Sequence, residues 1–172
     1  FGEQVRIAAP QHAGIKRVVY FNWAGPESLE ARIEGKPGEF DNVETAADDV
    51  AIIAFTSGTS GQPKAAMHFH RDILAAGICY ARGIITPSEG DIFCGTAPLG
   101  FTFGLFQLVS IPLQFGAASV LVEKRSPAGL LQTIQDFRGT VCGAVPTVYR
   151  QMAAIAGQFD LSSVKVAISS GE

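Results

Sequence analysis

The sequence predicts an α/β fold in which a largely parallel sheet is flanked by helices on both faces. Three observations predict it. Short, continuous apolar runs of strand length recur along the chain, as expected of strands covered on both sides. Segments with helical spacing fall between these runs, so strand and helix alternate as in β-α-β units. Polar turns rich in glycine, serine or proline follow several strands, where ligands of such sheets collect.

Residues 1–49 form a weakly patterned leading segment. Val5 to Ala9 and Arg17 to Asn22 read as β-like runs, Glu27 to Glu34 as a helix, and "GKPGEFDNVETAADD" as a polar connector. From Val50 the pattern sharpens. Val50 to Phe55 is a continuous apolar strand, Ile73 to Ile84 has helical spacing, and Asp91 to Thr96 is a second short strand. Phe101 to Phe115 is apolar nearly all round, which predicts a buried helix that Pro112 either ends or kinks. "ASVLVE" follows as a strand. Pro127 to Phe137 is a helix with proline in its favoured first turn. "TVCGAV" is strand-like, Pro146 to Gly157 helical and "VKVAIS" strand-like again. On this order "FTSGTSGQPK", "TAPLGFTFG", "AVPT" and "SSGE" each follow a strand and are expected along one ligand edge.

The 172 residues carry 13 basic and 16 acidic side chains, a net charge of −3, mixed along the chain. There is no basic stripe for a nucleic-acid backbone, so that class of partner is not expected. No run approaches the roughly 20 apolar residues of a membrane span, and the opening residues lack a signal-peptide pattern. A cytoplasmic location without membrane insertion is the expectation. Cys79, Cys94 and Cys142 show no Cys-x-x-Cys spacing and are expected to be reduced core thiols. Charged residues make up only 17% against about 25% in ordinary soluble domains, which predicts faces that the rest of a longer parent chain covers and that self-associate when bare.

"FTSGTSGQPK" joins two strands. Thr56, Ser57, Thr59 and Ser60 offer hydroxyl donors, and Gly58 and Gly61 let backbone N–H groups converge without an intervening Cβ. Lys64 adds a compact positive charge, which completes a cradle for phosphate oxygens. It is not a Walker loop. That motif puts glycine before the lysine and Ser or Thr after it, whereas Pro63 and Ala65 stand there. A serine- and glycine-rich surface turn is the plain alternative for "SGTSG" alone, and the preceding strand and the Pro-Lys ending argue against it.

"TSGTSGQPK" resembles the signature loop of the adenylate-forming superfamily, the AMP-binding acyl- and aryl-CoA ligases and their relatives. The continuation "AAMHFHRDILA" is similar, more narrowly, to benzoate and 2-aminobenzoate CoA ligases. Thr is common in the family at Ser60, Lys at Gln62 and Gly at Ala65, so the loop departs from the pattern in charge and flexibility. "APLGFTFG" matches the family's aromatic motif, which implies that Phe101 gates the carboxylate site and that Thr102 and Phe103 line the acyl pocket. Core packing is the competing explanation for these phenylalanines. "VPTVYRQM" resembles the segment that brings Ala144 and Pro146 toward the substrate, and "ISSGE" the loop that packs Ser170, Gly171 and Glu172 against adenine.

The resemblance implies a partial AMP-binding domain over 1–172, with the C-terminal subdomain beyond Glu172. It implies that a carboxylate, here an aromatic one, is activated by ATP with Mg²⁺ and passed to coenzyme A. Thr56 to Gly61 and Lys64 would hold the ATP phosphates, Lys64 acting as binder and orienter rather than as a base. The family's Tyr-Gly-x-Thr-Glu motif, whose glutamate helps place Mg²⁺, does not occur in this chain. Two other readings stay open: an adenylation domain that loads a carrier protein, and a non-catalytic nucleotide-binding module. His68 and His70, two apart, invite a metal, but without further ligands they read as a structural pair at a strand–helix junction. Asp72 is expected to cap the helix that follows.

Overall fold

A computed structural model describes residues 2–56, 61 and 63–171. It divides the chain into two compact units, up to Glu44 and from Thr45 onward, a boundary inside the polar connector. In the first unit, helix α1 (Gly2–Ala8) and the short helix α2 (Leu29–Ile33) are the main elements. The β-like reading of Val5 to Ala9 and of Arg17 to Asn22 is therefore corrected. The first run lies largely in α1, where Glu3 and Arg6 pair one turn apart at 2.6 Å, and the second contributes only one bridge, Tyr20 to Ser28. Their alternation has no neighbouring strand to pair with, and α1 buries none of its residues. Ser28 caps α2, its Oγ accepting from the Ala31 N–H at 3.1 Å.

The second unit opens with an antiparallel hairpin of β1 (Val50–Thr56) and β2 (Lys64–Phe69). Helix α3 (His70–Tyr80) follows at once. Asp72 sits in its first turn and accepts from the Phe69 N–H at 2.9 Å, the expected cap, and His68 and His70 flank the strand–helix junction. A wider π-helical turn, Ala81–Ile85, ends α3 at Thr86, which has the left-handed φ of 50°.

Four strands form a wholly parallel sheet in the order β4-β3-β5-β6: β3 (Ile92–Gly95), β4 (Ala118–Leu121), β5 (Val141–Ala144) and β6 (Val166–Ser169). Successive residues pack on opposite faces, as the two-residue period of a strand requires. Cys94 and Cys142 enter a core under α6 (Pro127–Phe137) and α7 (Pro146–Ala153), with Leu130, Leu131 and Ile134 of α6. Phe93, Val141 and Ile168 enter the other core, with Ala81, Leu108 and Ile111. Helices thus cover both faces. Cys79, expected in the core, is instead exposed on α3, while Cys94 and Cys142 are buried free thiols.

The segment from Thr102 to Phe115 is one helix in three parts: α4 (Thr102–Leu105), a π-helical turn (Phe106–Ser110) and α5 (Ile111–Phe115). Pro112 does not end it. The widened turn closes with the Ile111 N–H bonded to the Phe106 carbonyl, just before the proline, whose ring would otherwise press on the carbonyl four residues back. The helix stops at Gly116, φ 68°. Nor is it buried all round, since Leu113 is 75% exposed and only one face meets the sheet.

At the amino-terminal edge of the sheet, Asp91 gathers a polar cluster. Its carboxylate accepts from Lys165 Nζ at 2.9 Å, Thr140 Oγ1 at 2.8 Å, and the Ser88 N–H and Oγ, each at 2.8 Å. Thr140 Oγ1 in turn accepts from the Ile92 N–H at 2.9 Å. Burial pushes the Asp91 carboxyl up, but Lys165 and the surrounding hydroxyl and amide donors outweigh it and hold the group well below the usual carboxylate range. No helix among the described residues is long and apolar enough to cross a membrane.

Candidate functional site

Because β3, β5 and β6 run parallel, the segments after them emerge at one edge, opposite Asp91. These are Thr96 to Phe101, Val145 with Pro146, and Ser170 with Gly171. At this edge a cavity of about 350 Å³ opens between α3 and the π-helical turn. Its walls include Tyr80 of α3, Phe103 of α4, Phe106 and Gln107 of the turn, and Ser169 and Ser170 at the end of β6. Ser170 is held in place by the strand before it and by Gly171, whose φ of 73° turns the chain away.

A second cavity, also about 350 Å³, lies between the hairpin and the loop after β3. Ile53 and Phe55 of β1 form one side, and Leu99, Phe101, Thr102 and Leu105 the other. The helix start therefore distributes three successive residues between two spaces. Phe101 and Thr102 face the hairpin, whereas Phe103 faces the sheet edge. The turn into α4 depends on Gly104, where a Cβ would come within 2.2 Å of the Pro98 carbonyl oxygen.

Thr56 and Lys64 stand opposite each other at the loop end of the hairpin ladder, and both are exposed. Gly61 has φ 76° with open space where a Cβ would be, a backbone suited to a glycine loop that turns N–H groups toward a ligand. Ser57, Gly58, Thr59 and Ser60, named from the sequence as phosphate ligands, lie outside the described residues, as does Glu172. Ala144 is fully buried in the core under α6 and α7, and Pro146 is exposed as the first residue of α7. Among the described residues, neither lines either cavity.

Tyr80, Phe106, Gln107 and Ser169 line the first cavity although the sequence did not single them out. Gln107 had a signal: it is a polar residue interrupting the apolar run after Phe103. It is only 2% exposed, and its Nε2 donates to the Cys94 carbonyl at 3.1 Å.

The chain belongs to the AMP-binding enzyme family, whose model matches residues 3–172. Over 141 residues it is 32% identical to the benzoate–CoA ligase of Thauera aromatica, covering 81% of this chain and 27% of that protein. The medium-chain fatty-acid–CoA ligase of Escherichia coli is 34% identical over 131 residues, 75% of this chain and 23% of the relative. Among solved structures, the anthranilate CoA ligase AuaEII in complex with anthranoyl-AMP matches with a TM-score of 0.89 at 25% identity. That match covers 100% of this chain and 35% of AuaEII. The chain thus spans about a quarter to a third of the length of these acid–CoA ligases.

Proposed function

We propose that this chain is part of an ATP-dependent aromatic acid–CoA ligase and supplies its acid pocket and part of its phosphate site. The observation that carries this reading is the cavity walled by Phe103, Phe106 and Tyr80 at the ligand edge of the parallel sheet. Its volume is at the lower end of small-molecule sites, and flat apolar walls favour a ring through offset or edge-to-face contact. The similarity to a benzoate–CoA ligase and to the AuaEII fold points the same way.

In the proposed reaction a carboxylate oxygen attacks the α-phosphorus of ATP and pyrophosphate leaves, which gives an acyl-adenylate. The CoA thiol then attacks the acyl carbon, loses its proton to solvent or a base, and AMP departs. Lys64, Thr56 and the hydroxyl and N–H groups of Ser57 to Gly61 hold phosphate oxygens as charge shifts toward the leaving group. Their contribution is orientation and preorganised charge, not proton transfer. Phe101 stands at the entrance to the carboxylate site, with Thr102 beside it, and Phe103 packs on the ring. Ser170, Gly171 and Glu172 approach the adenine, and the resemblance would bring Ala144 and Pro146 toward the substrate, although, among the described residues, neither lines either cavity. Mg²⁺, when bound, neutralises phosphate charge.

The test is acid-dependent ATP–pyrophosphate exchange by the full-length parent protein across aryl and aliphatic acids, followed by CoA-dependent release of AMP. Aryl acids are expected to support both. Exchange with aliphatic acids alone would remove the aromatic assignment, and exchange without CoA-dependent release would point to a carrier-protein acceptor.

A further inference from the structure

We propose that Gln107 is a positioning residue for the acid site: its buried amide braces the helix that carries Phe103 and Phe106 against the ends of β3 and β5, and so sets the width of the edge cavity. This rests on reading that cavity as the acid site and deepens it. The amide does not meet the ligand. It is turned into the sheet, where Nε2 donates to the Cys94 carbonyl at 3.1 Å and Oε1 is buried, without a hydrogen-bond partner among the described residues. Its influence on a bound acid therefore passes through its neighbours on the helix, Phe106 immediately before it and Phe103 one turn earlier, both of which wall the cavity.

The sheet leaves room for this contact and for nothing bulkier. Gly95 closes β3, and Gly143 lies beside it in β5. A Cβ on Gly143 would stand 1.9 Å from Nε2 and 2.0 Å from Oε1, and one on Gly95 would stand 2.9 Å from Oε1 and 2.6 Å from the Gly143 carbonyl oxygen. Both glycines are thus needed for the amide to lie on the backbone where the strands give way to the ligand-edge segments. On the helix side, the π-helical turn Phe106–Ser110 closes over one residue more than an α-helical turn, a distortion that recurs at functional sites, and Gln107 lies within it. Apolar packing alone would be a poor brace, because burial is non-directional and lets a helix slide on a sheet. One directional bond fixes its rotation and rise. The cost is Oε1, an acceptor left bare, which a methionine of similar length would not have, so stability alone does not account for the amide. A wall displaced by about 1 Å is enough to weaken a site that depends on its geometry.

The experiment uses the full-length parent protein and measures KM for the acid, KM for ATP and kcat in ATP–pyrophosphate exchange, with active sites counted by single-turnover formation of the acyl-adenylate. The acid is benzoate or 2-aminobenzoate, whichever the wild type accepts better. Gln107→Met keeps the length of the side chain and removes the donor. It is expected to raise KM for the acid about tenfold, the size of one net hydrogen bond, with KM for ATP unchanged. Gly143→Ala presses on the same amide from the sheet and is expected to move KM for the acid in the same direction, so the proposal stays testable where Gln107→Met does not fold. A residue that merely filled the core would lower the count of active sites and leave both KM values alone. That result in either variant, or KM for acid and ATP rising together, would overturn the proposal. Failure of both variants to fold would also overturn it, because the contact would then be a requirement of the fold and not of the cavity width. If the wild type takes aliphatic acids and no aryl ones, the aromatic assignment falls, and the same comparison with the accepted acid decides the role of Gln107 by itself. A wild type that exchanges with no acid sinks both.

Discussion

Lys64 is the side chain on which the proposed chemistry depends most visibly. It begins β2 directly across from Thr56, so the ladder itself carries a cation and a hydroxyl to the two sides of the glycine loop. Lys64→Ala in the full-length parent protein is expected to lower the rate of adenylation on the order of 10²-fold, the usual effect of removing one preorganised donor. Single-turnover formation of the acyl-adenylate measures this directly, and an unchanged rate would take Lys64 out of the mechanism. At the same scale, Gly143→Ala forces a methyl group into the Gln107 amide. Overpacking of this kind costs about 1–3 kcal/mol, read from the urea midpoint. Gln107→Ala in the same background is expected to restore much of the loss, because the clash is with that side chain. A loss left undiminished in the double variant would place the strain elsewhere.

Among the elements, α6 was the most legible, because its signals agree. Ser126 Oγ caps it by accepting from the Gly129 N–H at 3.1 Å, Pro127 occupies the first turn, and its apolar residues fall on one face. The leading segment was not, since alternation over five residues satisfies a strand template even where no strand is available to pair. The site divides along the same line. Phe103 and Ser170 could be placed on one edge from strand order alone. Gln107 required the π-helical turn and two glycines distant in sequence, which no local pattern specifies. The Asp91 cluster, also absent from the sequence reading, is the element-scale contribution to stability. Asp91→Asn is expected to destabilise the fold by about 1–3 kcal/mol at neutral pH, because Lys165, Thr140 and Ser88 lose their shared charged acceptor. The folded carboxyl is held below its unfolded value, so the unfolded state binds the extra proton in acid. The stabilisation is present above about pH 4 and is lost as pH falls toward the folded value. Urea titrations at pH 7 and pH 3 should therefore show the gap between wild type and variant narrowing in acid. A constant gap would mean that Asp91 contributes through shape rather than charge.

At the scale of the whole molecule, the 172 residues leave a great deal of apolar surface bare. Phe55 is 71% exposed, Met67 62% and Leu113 75%, in a chain of low charge content. Such a surface is expected to drive association of the chain at high concentration, and sedimentation velocity measures it. A clean monomer at several milligrams per millilitre would contradict this. The parallel sheet has a further consequence. Its strands are about four residues long and therefore hold the Asp91 cluster roughly 13 Å from the ligand edge. At that separation, with no shared partners, energetic effects add rather than interact. Stability and binding at the sheet edge can thus be altered independently in this scaffold: a variant tuned at Asp91 should leave the edge cavity unchanged, and one altered at Phe103 should keep its acid sensitivity.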